Sequence, residues 1–228
     1  MFDLDEAALA AARPDVILTQ AVCDVCAVRE EDARAVASRL RPEPVVATLG
    51  ANSVEGVLAD IMTVGAALGI SDEAEELVAG LRSRLRVVHD KLKANQAPRP
   101  RVLVLEWTDP LFSAGHWVPD MVRRAGGHEV IGKTGEKSRH IGEDELTAAA
   151  PEVIIVAPCG YALVDAQGEA RALLAAGVLP RVQSAWALDA NRLASSPGPG
   201  VIQGIEVLAR ILHPALFGAP SPKDALRP

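Results

Sequence analysis

The residues best suited to chemistry or to gripping a ligand are few, and they cluster. Cys23 and Cys26 form a Cys-x-x-Cys pair, a spacing open to three readings: a redox couple, half of a metal site, or two small buried side chains. No second such pair exists, and the histidines at 89, 116, 128, 140 and 213 are scattered, which disfavours a structural zinc centre. Glu106 precedes Trp107 in Glu-Trp-Thr-Asp-Pro, followed closely by Phe112, His116 and Trp117. A carboxylate there could serve as a general base, yet no Ser, Cys or second carboxylate is visibly spaced to work with it. His116 beside Trp117 reads as the wall of a cleft, with axial binding to a metal-centred group as the alternative. Cys159-Gly-Tyr161 and Asp189-Ala-Asn191 follow, the latter leading into Ser-Ser-Pro-Gly-Pro-Gly at 195–200. That Gly-rich turn lacks the Lys-Ser/Thr of a phosphate-binding loop.

The elements that must position these residues follow a βα pattern. Short apolar runs at residues 14–20 and 44–48, with a helical pattern over 30–40 between them, predict one βαβ unit. From residue 101 the alternation becomes regular, with strands at 101–106, 154–157 and 185–188 and helices at 118–125, 165–176 and 201–212. The fold class expected is α/β: two Rossmann-like lobes with parallel sheets joined by one long helix, the first lobe incomplete. In such sheets ligands bind beyond the carboxyl ends of the strands. Two of the three Trp, all three Cys and the single Tyr fall in segments that leave those ends, in a chain that is only 3% aromatic. That concentration is the strongest site signal in the sequence.

Between the lobes, Asn52 with Glu55 predicts a capping box for a helix to Leu68, stopped by Gly69. Ser71 then starts a helix whose apolar stripe, Leu77, Leu81, Leu85, Val88 and Leu92, runs to about Ala94. The organisation expected is a partial N-terminal lobe over 1–52, a helical connector over 53–96, a C-terminal α/β lobe over 97–217 and a flexible tail over 218–228.

Composition narrows the function further. Lys and Arg total 23 against 30 Asp and Glu, a net charge of -7, which argues against nucleic acid as a partner. No run approaches the roughly 18 apolar residues of a membrane span. Three cysteines are too few for a disulfide framework. The start, Met-Phe-Asp-Leu-Asp-Glu, is acidic and is not followed by a signal-type apolar core, so the expected location of the chain as written is the cytoplasm.

Several segments together resemble the substrate-binding proteins of cobalamin and ferric-siderophore ABC importers, most closely the cobalamin branch. They are Pro14-Asp-Val-Ile-Leu-Thr-Gln with Cys23-Asp-Val-Cys26, the run from Arg101 through Glu106-Trp107 to His116-Trp117-Val-Pro, Ala149-Ala-Pro-Glu-Val-Ile-Ile-Val-Ala-Pro-Cys-Gly-Tyr161, and Gly204-Ile-Glu-Val-Leu-Ala-Arg-Ile-Leu-His-Pro214. The resemblance implies a binding protein rather than an enzyme, with no intrinsic cofactor and a corrinoid carried as cargo between the lobes. It implies Trp and Tyr faces against the flat ring; together with the strand-exit residues, the ligand contacts expected are Cys23, Cys26, Glu106, Trp107, Phe112, His116, Trp117, Cys159 and Tyr161, with Trp107 and Trp117 as anchors. It also implies an acidic side chain at each lobe tip that pairs with arginines of the importer's membrane subunit. Asp144, between Glu143 and Glu145, falls at the second-lobe position, and Glu30 or Glu31 serves the first.

The chain departs from that family in three ways. A further first-lobe βα pair is absent, as is an export signal, and residues 191–200 are small or aliphatic where relatives commonly place aromatics and Arg. An N-terminally truncated chain fits these departures and would place the protein in the periplasm or at the cell surface. So does a cytosolic paralogue with a changed or lost ligand, acting as a scaffold and completing its thin first lobe as a homodimer. A thiol enzyme using Cys23, Cys26 and Cys159 is the remaining alternative.

Overall fold

A computed structural model describes residues 4–21, 28, 30–180 and 182–228. The chain forms two compact units, Met1–Gly80 and Leu81–Pro228, and passes from one to the other inside a helix.

In the first unit, α1 (Glu6–Ala12) is started by Asp5, whose carboxylate accepts from the Ala8 amide at 2.9 Å. Two short strands, β1 (Val16–Gln20) and β2 (Val45–Leu49), pair in parallel from Val16 opposite Val45 to Gln20 opposite Leu49, with α2 (Glu30–Ala37) in the crossover. This is the expected βαβ unit. Ala33, Val36 and Ala37 of α2 are buried together with Ala47 of β2, while Leu18 and Val45 stay 47% and 55% exposed because two strands offer too little surface to cover both faces. Helix α3 (Val54–Leu68) is capped by Ser53 rather than Asn52: the Ser53 hydroxyl accepts from the Gly56 amide at 3.1 Å. Gly69 ends it with φ +71°, a left-handed conformation that glycine adopts without strain.

Helix α4 (Ser71–Ala94) carries 24 residues and so spans about 36 Å. Its buried stripe begins at Ala74 and Val78 and continues through Leu81 and Val88, whereas Leu77 remains 43% exposed. The sequence stripe is therefore displaced by one position at its start. Alanine at 74 suits the close approach of α3, where a Cβ on Gly65 would lie 2.3 Å from that of Ala74.

The second unit is built on β3 (Arg101–Thr108), which turns through a short hairpin into β4 (Leu111–Ser113). Then come α5 (Val118–Arg124), β5 (His128–Glu129), β6 (Arg139–His140), α6 (Glu143–Ala148), β7 (Val153–Val156) and α7 (Leu163–Ala175). The chain ends through β8 (Ser184–Leu188), α8 (Ala190–Leu193), α9 (Gly200–Leu212), α10 (Pro214–Phe217) and β9 (Ala225–Leu226). Strand order is β6-β4-β3-β7-β8-β9, with β5 also paired to β3. β3, β7 and β8 run parallel, aligned as Val102–Val153–Ser184 through Leu105–Val156–Ala187. Residues 102–105 and 153–156 are buried throughout, as strands covered on both faces must be.

Two expectations for this unit change. The sheet is mixed, because β4, β6 and β9 pair antiparallel at its flanks. Segment 218–228 is also not a free tail: Leu226 pairs with Ala187, Asp224 meets Arg192 at 2.6 Å, and Arg227 lies 4.7 Å over the Trp186 ring. Pairing satisfies the open edge of β8, which would otherwise present unpaired backbone groups to solvent.

Candidate functional site

Because β3, β7 and β8 are parallel and in register, their carboxyl ends lie side by side, and the loops leaving them are tied by hydrogen bonds. The Cys159 amide donates to the Glu106 carbonyl at 3.0 Å, linking the exits of β7 and β3. The Asn191 amide donates to the Tyr161 carbonyl at 3.0 Å, and the Gly160 amide donates to the Ser195 hydroxyl at 2.9 Å. These join the exits of β7 and β8. The indole of Trp117 completes the set by donating to the Ala194 carbonyl at 2.8 Å.

On this end Trp107 is the aromatic face most open to solvent, at 38% exposure. A bulge between Leu105 and Trp107 breaks the β3–β4 ladder at Glu106, a common means of re-aiming a side chain beside a site. Trp107 lies opposite Phe112 in the ladder and meets Tyr161 edge-on, with ring centroids 5.5 Å apart. Its Nε1 donates to the Asp109 carbonyl at 3.0 Å. Phe112 packs edge-on against His140 at 6.0 Å. Beside this group, an open depression of about 600 Å³ is lined by Gly160, Tyr161, Val164, Asp165, Gly168 and Glu169.

Glu106 points its carboxylate at the Gly115 amide, 3.1 Å away. Burial pushes it above the usual carboxylate range, and the Gly115 donor pulls it partly back. His116 sits at φ +54° with its ring 5.9 Å from that of Trp117. Burial, assisted by the Lys137 ammonium, holds its imidazole below the ordinary value and so favours the neutral form. Trp117 differs from Trp107 in kind, being only 7% exposed with its N–H committed inside the unit. That geometry gives it to the core, not to an open stacking face.

Cys159 is an exposed free thiol, while Cys23 and Cys26 lie outside the described residues. Among the described residues no group of three or more His, Cys, Asp or Glu is arranged to hold a metal ion. Among the described residues no helix is long and apolar enough to cross a membrane. Asp144 is exposed in the first turn of α6, flanked by exposed Glu143 and by Glu145, which is engaged by Arg139. In the first unit Glu30 is held by Arg34 at 2.7 Å, and Glu31 is exposed. Sequence reasoning missed Thr108, Ser195 and Glu169 as parts of this end. Thr108 and Ser195 were within segments already singled out, but nothing in the sequence announces that Glu169 reaches Thr108.

An α/β sheet with aromatic side chains gathered at its strand exits has the form of a ligand-binding protein. The chain belongs to the periplasmic binding protein family, whose model matches residues 4–176. No curated protein shows a significant sequence match. Among solved structures, the chain is similar to the periplasmic heme-binding protein BhuT in complex with two hemes, at 25% identity and TM-score 0.72, over 93% of this chain and 80% of that one. It is also similar to a periplasmic heme-binding protein from Pseudomonas aeruginosa, at 22% identity and TM-score 0.74, over 99% and 82%. The periplasmic vitamin B12-binding protein BtuF of Vibrio cholerae matches at 15% identity and TM-score 0.61, over 92% and 78%.

Proposed function

We propose that this chain is the substrate-binding component of an ABC importer and that its cargo is a flat, metal-centred tetrapyrrole, a corrinoid in the first reading. The observation that carries this is the exposed Trp107 indole, braced by Tyr161 and neighboured by Phe112 at the strand exits of the second unit. A flat, partly apolar ring matches such a face. Burying a few hundred Å2 at about 25 cal/mol per Å2 supplies several kcal/mol before ordering costs. Cys159 and His116 add polar contacts at the rim of the same end.

Asp144 on α6 and Glu31 on α2 are the acids offered to arginines of the membrane subunit, since Glu145 and Glu30 already have cationic partners. In this role the protein works where the importer collects cargo, in the periplasm or at the cell surface. A second reading, heme as the cargo, is favoured by the likeness to BhuT at 25% identity.

Titration of the purified chain with cyanocobalamin and, separately, hemin tests both, followed by calorimetry and by the corrin and Soret absorbance bands. Saturable one-to-one binding of cyanocobalamin at micromolar or tighter affinity supports the corrinoid reading, and preference for hemin supports the second. A folded chain that binds neither overturns the tetrapyrrole cargo. The thiol-enzyme alternative predicts instead a turnover of ligand that is lost on alkylation of the cysteines.

A further inference from the structure

We propose that Glu106 and Glu169 are positioning residues that hold the Trp107 indole as a preformed stacking face, and that neither carboxylate is offered to the ligand. This rests on the ligand-binding reading above and assigns Glu106 a different role from direct contact.

Trp107 sits at the end of β3, where a strand would ordinarily fray. The residues on either side of it are both clamped. On one side Glu106 is the bulge residue, so its backbone leaves the β3–β4 ladder there. Its carboxylate crosses to the far arm of the hairpin and accepts from the Gly115 amide at 3.1 Å, closing the gap that the bulge opens. Gly115 is fixed from behind: a Cβ there would lie 2.3 Å from the Ser138 amide nitrogen. The next residue is tied to the same segment, with the His116 amide donating to the Glu136 carbonyl at 2.7 Å. The Glu106 clamp is thus anchored to packed backbone.

On the other side, the Thr108 hydroxyl donates to Glu169 Oε2 at 2.6 Å, tying the last residue of β3 to α7. Tyr161, just ahead of α7, presents its ring to Trp107 from that same side. The indole N–H is spent on the Asp109 carbonyl, which leaves the ring face for a ligand. Each carboxylate is directed at a protein donor, Gly115 for Glu106 and Thr108 for Glu169. Fixing an aromatic anchor before binding removes its ordering cost from the affinity.

The test uses the full chain and the variants Glu106→Gln, Glu106→Ala, Glu169→Gln and Glu169→Ala. The first readout, independent of any ligand, is the 15N relaxation order parameter of the Trp107 indole N–H. The second is affinity for cyanocobalamin and hemin. Each alanine variant should lower the indole order parameter from the rigid range, about 0.85, toward 0.6 or below. Affinity should fall three- to tenfold. The glutamine variants keep a carbonyl acceptor for Gly115 or Thr108 and should restore both readouts.

An unchanged order parameter in both alanine variants overturns the proposal. So does a glutamine variant whose affinity is as poor as its alanine counterpart while the indole stays rigid, since the carboxylate charge would then be contacting ligand. If Glu106→Ala fails to fold, the Glu169 pair decides the matter. If the unaltered chain binds neither tetrapyrrole, the proposed cargo fails while the indole measurement still decides the clamp.

Discussion

Trp107 and Trp117 are ten residues apart and equally prominent in the sequence, yet they do different work. Trp107 keeps 38% of its surface exposed, while Trp117 keeps 7% and satisfies a buried carbonyl at Ala194. Trp107→Ala should therefore weaken tetrapyrrole binding by more than tenfold, about 1.4 kcal/mol, with little change in thermal stability. Trp117→Ala should instead cost about 3–5 kcal/mol of stability, through the lost packing and the orphaned carbonyl. Calorimetric titration and thermal melts of both variants separate the two. A Trp107→Ala protein with unchanged affinity would remove that ring from the site. Residue types alone pointed to this end of the molecule. They could not divide the two indoles, because burial depends on the Ala194 loop, which arrives from far along the chain.

At the scale of elements, β5 shows how a short strand can be secured by a side chain. It pairs with β3 only at Arg101–His128 and Val102–Glu129. Beyond that point the Glu129 carboxylate takes over as acceptor for the amides of Val104, Ile131 and Gly132 at 3.1–3.2 Å. Burial pushes Glu129 up to about 7 even against those donors. The native state thus binds a proton more readily than the unfolded chain between the usual carboxylate range and pH 7. Glu129 should accordingly subtract stability as pH rises through that window, by at most about 1.4 kcal/mol per pH unit. His213, whose imidazole burial holds low, acts in the opposite sense as pH falls. The informative quantity is therefore the difference in denaturation free energy between the unaltered chain and Glu129→Gln across pH 4.5–7.5. A difference that does not vary with pH would rule out the titration.

The C-terminal strand belongs to the same scale. Removal of residues 219–228 should lower the melting temperature by several degrees, because it strips β9 from β8 and the Asp224 partner from Arg192. An unaltered melt would show that the pairing contributes nothing. The long strands β3, β7 and β8 were plain in the sequence as apolar runs. β4 and β9 were not, since strands of two or three residues carry no period, and their pairing is supplied by neighbours distant in sequence.

For the molecule as a whole, binding and transport should be separable. Ligand at a hundredfold excess over its Kd should stabilise the folded chain by about 2.7 kcal/mol, visible as a rise in melting temperature. Asp144→Lys, on an exposed turn of α6, should leave that stabilisation unchanged while reducing delivery to the importer, read as uptake in cells or reconstituted vesicles. Loss of binding in that variant would instead place Asp144 at the ligand.

By itself the sequence determined the α/β class, the run of buried parallel strands, the long α4 helix and the end of the sheet at which Trp107, Cys159 and Tyr161 gather. Each of these is written in local signals: apolar runs, helical spacing, glycine stops and the rule that loops follow strands. Tertiary structure alone decided which aromatic ring faces solvent, where Glu106 and Glu169 direct their carboxylates, and that the final residues close the edge of β8. Those outcomes depend on contacts such as Thr108 with Glu169 and Ala187 with Leu226, whose partners lie tens of residues apart. No local pattern encodes such a pairing, because its energy exists only once the sheet has brought the two segments together.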